Sequence, residues 1–68
     1  MDNAFVQRAE TGAFHLEARQ LDDEWHWFVE DSWNKMLVGS GTAISLEKAR
    51  AQAERVAGSK ADWYFTPA

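Results

Sequence analysis

Cysteine is absent from this chain of 68 residues. Neither a disulfide nor a thiolate metal site can therefore staple the fold, and stability must come from packing. Proline occurs once, at Pro67, where it ends the last candidate strand. No apolar run is long enough to cross a bilayer, and the acidic N-terminal stretch lacks the basic and apolar regions of a signal peptide. A soluble cytoplasmic protein is the expectation. Basic residues are sparse, seven against eleven acidic, and scattered singly. The net charge of −4 argues against nucleic acid and anionic membranes as partners, because phosphate contacts need clustered Lys and Arg.

Catalytic patterns are missing as well. There is no Ser/His/Asp order, glycine-rich phosphate loop or zinc-protease helix. The Gly39-Ser40-Gly41 triplet lies within a strand pattern and lacks the third glycine and following lysine of a phosphate loop. Asp22, Asp23 and Glu24 lack calcium-loop spacing and fall at a solvated turn, a poor setting for a shifted carboxyl pKa. No catalytic, cofactor-binding or metal-binding residue is assigned, and the chain is not expected to be an enzyme.

What is present is apolar bulk. Hydrophobic residues make up 46% of the chain, including four Trp and four Phe. That composition suits one small globular domain over residues 1–68, with residues 1–11 either an extra strand or a flexible arm.

Alternation organises the middle of the chain. Phe14, Leu16 and Ala18 alternate with His15, Glu17 and Arg19; Trp25, Trp27 and Val29 alternate with His26, Phe28 and Glu30. Both are period-2 strand patterns, and Asp22-Asp23 between them suits a two-residue hairpin loop. That loop places Ala18 opposite Trp27 and Leu16 opposite Val29 on one face, with Arg19 opposite His26, Glu17 opposite Phe28 and His15 opposite Glu30 on the other. The two histidines are then about 13 Å apart, too far to share a metal ion.

A third strand is expected over residues 36–44. A four-residue loop pairs Val29 with Val38, lays Phe28 and His26 opposite Gly39 and Gly41, and puts Met36, Val38 and Ile44 beside the tryptophans, with Leu37 beside Phe28. Ser45 then caps a helix whose apolar stripe is Leu46, Ala49, Ala53, Val56 and Ala57, closed by Gly58. Residues 4–9 read as a further strand, joined through a three-residue loop at Glu10-Thr11-Gly12, or as a frayed arm. Residues 62–66 read as a final strand.

The expected fold is thus α+β: a three- to four-stranded antiparallel meander, one helix on one face, and a C-terminal strand. The expected core is Phe14, Leu16, Trp25, Trp27, Val29, Val38, Ile44, Leu46, Ala49, Ala53 and Val56. Left over are Phe28, Trp33 and Leu37, with Trp63, Tyr64 and Phe65, as an apolar surface that a second chain would cover. A non-catalytic interaction or assembly module follows, its partner a second copy in a homodimer or another protein.

The order of strands and helix, with Gly41, Ser45, Glu47 and Ala49 leading into the helix, resembles the HicB-type antitoxin pattern and other small bacterial domains of the form W-x-V, G-x-A-x-S, A. The resemblance spans about residues 14–66. It implies the strand–strand–strand–helix fold and a protein-binding role, with antitoxin activity or nucleic-acid-associated regulation as the alternative function. The chain departs from that pattern at residues 31–38, DSWNKMLV, where HicB-type domains carry a Pro-rich segment ending in Gly-Cys, and it lacks a DNA-binding tail.

Overall fold

Four antiparallel strands in a meander, followed by one helix packed on them, form the architecture. A computed structural model describes residues 6–66, and the side chains of residues 6–64. The strands are β1 (Val6–Thr11), β2 (Phe14–Leu21), β3 (Glu24–Asp31) and β4 (Leu37–Ala43); the helix is α1 (Leu46–Ala57). A three-residue segment, β5 (Tyr64–Thr66), runs antiparallel along β1, so the sheet order is β4-β3-β2-β1-β5. Asp62 and Trp63 precede this pairing and stay outside it, so the segment is shorter than the strand expected over residues 62–66.

The β2–β3 hairpin has the register that alternation demands: Leu16 opposite Val29, Ala18 opposite Trp27, Glu17 opposite Phe28. Asp22 takes φ of 56°, the left-handed conformation that a tight two-residue loop needs and that Asp tolerates better than most residues. The β1–β2 turn is tighter than the expected three-residue loop. Thr11 pairs with Phe14 across Gly12-Ala13, with Gly12 at φ +59°.

The β3–β4 register departs from expectation by one residue. Glu30 faces Leu37, as a four-residue loop requires, but a bulge follows, and Val29 faces Gly39 rather than Val38. Trp27 therefore lies across Gly41, and Phe28 faces Ser40. The packing explains the shift. A Cβ on Gly41 would stand 2.9 Å from Trp27 Cζ2, and one on Gly39 would stand 3.0 Å from Val56 Cγ1. The bulge delivers both glycines to the helix face, where bulky neighbours need a bare backbone. It also removes Val38 from the core, half-exposed, and leaves Ile44 exposed; Met36, on the loop side of the bulge, is exposed as well.

Helix α1 is closed at both ends by local chemistry. Ser45 Oγ accepts from the Lys48 amide at 3.2 Å, and Gly58, at φ 85°, donates its amide to the Glu54 carbonyl. Ala49 and Ala53 are fully buried, and their small size lets the helix approach the sheet over Trp27. Trp27 Nε1 donates to Gln52 Oε1 at 2.8 Å, which satisfies the indole under the helix. The buried cluster also contains Ala9, Leu16, Ala18, Val29 and Ala43; Phe14, Trp25 and Leu46 pack partly buried against it. Val56, expected in the core, keeps 38% of its surface exposed while resting on Gly39.

Candidate functional site

The sheet's second face, away from α1, is where the leftover side chains were expected to gather. Register lays Tyr64, Arg8, Glu17, Phe28 and Ser40 in one row across five strands. Its centre is polar and closed. Glu17 is buried, accepting from Arg8 Nε and from Arg19 Nη2, each at 3.1 Å, with His15 Nε2 at 3.9 Å. The two guanidinium groups hold the carboxylate from either oxygen, while both arginine side chains stay partly exposed. Two of the seven basic residues thus share one buried carboxylate within the fold.

Toward β4 this face opens into a hollow of about 580 Å³. Phe28 and Leu37 supply its apolar surface, with His26, Lys35, Ser40 and Thr42 also lining it. Phe28 is half-buried and Leu37 exposed, so these two expected surface residues do meet. Trp33 stands close in sequence but apart in environment, 87% exposed on the β3–β4 loop. Asp31 Oδ1 accepts the Trp33 amide and Asn34 Oδ1 the Met36 amide, while Lys35 adopts φ of 60°; the loop backbone is thus built around Trp33 without burying it.

The C-terminal aromatics do not join them. Tyr64 shares the outer face, half-exposed, but lies at the far end of the row. Trp63 belongs to the helix side: Nε1 donates to Glu54 Oε2 at 2.9 Å, and the Arg50 guanidinium sits 5.8 Å from the ring centroid. Arg50 also donates to the buried Gln7 side chain, and Glu54 Oε2 accepts the Ala61 amide. Trp63 is therefore a packing residue that fastens the chain's return to α1, not part of an outer surface. The Phe65 side chain lies outside the described residues.

One feature went unread in the sequence. Residues 36–46, MLVGSGTAISL, carry no charge, and they contain the whole of β4. Among the described residues no strand pairs with the outer side of β4, whereas the opposite side of the sheet carries β5. Met36, Leu37, Val38 and Ile44 are all exposed beside that edge. Edge strands are ordinarily protected by charge, proline or a covering segment. The uncharged run was the available signal; an interior strand would have produced the same run, which is why topology was needed to interpret it.

Among the described residues, no group of three or more His, Cys, Asp or Glu is placed to share a metal ion, and no helix is long and apolar enough to cross a membrane. Comparison with family models, curated proteins and solved structures finds no match.

Proposed function

We propose that the chain is a non-catalytic protein-interaction module that binds by strand addition at the outer edge of β4. The observation that carries this reading is the uncharged edge itself, with four exposed aliphatic side chains along it. An added strand would gain main-chain hydrogen bonds from β4, while Leu37 and the adjoining Phe28 hollow would provide side-chain selectivity. Both a second copy and another protein are partners of this chemistry. Nucleic-acid-associated regulation, which the HicB-type resemblance brings with it, has less support. On the described outer face Arg8 and Arg19 are interleaved with Glu10, Glu17 and Glu30 rather than gathered into a basic patch.

Amide hydrogen exchange tests the reading. In concentrated protein, or in extract of the source cells, the outward amides of Gly39–Ala43 should be protected, and Val38→Lys should abolish that protection while the circular dichroism spectrum stays unchanged. Free exchange along β4 under every condition would overturn it. Steeply salt-dependent binding to a duplex would support the regulator instead.

A further inference from the structure

The β4 edge is self-complementary, and this identifies its partner. Two identical strands pair antiparallel around a two-fold axis only if residue c−n of one faces c+n of the other, where c is the residue on the axis. Such an axis stands perpendicular to the sheet, so both helices fall on the same face of the joined sheet. Within the regular segment Gly39–Ala43 the sequence around Gly41 meets this condition. Ser40 faces Thr42 of the second copy, two hydroxyls on the outer face. Gly39 faces Ala43, small against small. Val38 and Ile44, both β-branched and both exposed in the isolated chain, flank this segment at its two ends.

Charge follows the same symmetry. The uncharged run 36–46 is centred on Gly41 and is bounded by Lys35 at one end and Glu47 at the other. Both charges lie outside β4, Lys35 in the β3–β4 loop and Glu47 in the first turn of α1, so antiparallel pairing sets one uncharged run against the other and brings no like charges together along the paired edges. Centring on Ser40 would move the axis off the middle of the regular segment Gly39–Ala43 and set Val38, at the bulge, opposite Thr42. The hollow supplies a second consequence. Ser40, Gly41 and Thr42 line it, so the two hollows would adjoin across the axis as one groove.

We infer that this chain forms a homodimer by antiparallel β4–β4 pairing about a two-fold axis at Gly41, joining two sheets into one. The inference rests on the strand-addition reading and narrows it to a second copy and a single register.

The lack of native cysteine makes the register directly testable by cross-linking. Ser40→Cys and Thr42→Cys are prepared singly, both at exposed positions. Mixed and oxidised, they should yield a covalent heterodimer, because opposed side chains lie about 4.5–5.5 Å apart at Cβ. Either variant alone should cross-link on the order of tenfold more slowly, since its two copies are displaced along the strands. Light scattering on the unmodified chain should give twice the monomer mass at high micromolar concentration. Ser40→Cys alone reacting as fast as the mixture would overturn the Gly41 axis. A dimer without any of these cross-links would overturn β4 as its interface. A monomer would overturn the second copy as partner, while protection of β4 in cell extract would still uphold strand addition by another protein.

Discussion

The two faces of the sheet solve the problem of a small core in opposite ways. Under α1, apolar volume closes the face: Trp27 lies over Gly41, Val56 over Gly39, and alanines bring the helix close. On the other face one carboxylate, Glu17, is buried and held by two arginine guanidinium groups, and the apolar residues Phe28 and Leu37 remain accessible. The helix face depends on shape, so it should be intolerant of volume changes. The outer face depends on pairing of charge, so it should respond unequally to removal of one sign or the other.

Trp27→Ala is the strongest test of that contrast. Loss of the buried indole should cost about 3–5 kcal/mol in urea denaturation, comparable with the whole stability expected of a chain this short. A stable, fully folded variant would remove the tryptophan from its central role. Next in size is Gly41→Val, which drives a side chain into the indole and should cost about 1–3 kcal/mol. In a Trp27→Leu background most of that cost should disappear, a coupling that a double-mutant cycle measures.

On the outer face the asymmetry is the prediction. Replacing both Arg8 and Arg19 with Ala leaves Glu17 buried without its two cationic partners and should cost about 1–3 kcal/mol. Glu17→Ala should cost less, about 1 kcal/mol or below, because the partly exposed arginines return to water. Equal losses in thermal denaturation would mean that charge pairing does not govern this face. Ser45→Ala, which removes the helix cap without touching either face, should cost about 1 kcal/mol. Smallest of all, Thr42→Val is on the exposed outer side of the same strand as Gly41 and should change stability by less than about 0.5 kcal/mol when measured at concentrations where the chain is monomeric. One residue's distance along β4 thus separates a large effect from a negligible one.

Local alternation was enough to read the β2–β3 hairpin to the residue, because a side chain's face follows from its parity and a two-residue loop leaves no freedom of register. The helix and its caps were equally legible, since Ser45 and Gly58 act on backbone groups within one turn. Neither signal reaches across the β3–β4 bulge. There the deciding contacts are Trp27 on Gly41 and Val56 on Gly39, and the latter joins residues from different elements that meet only once the helix has docked. Those contacts turned Val38 and Ile44 from expected core into an exposed edge. The same applies to Trp63, whose partners Glu54 and Arg50 come from the helix and claimed it for packing. Composition and periodicity specified which elements form and which way their side chains alternate. Which strand became a bare edge, and which aromatics remained available for a partner, depended on side-chain volume meeting backbone in three dimensions.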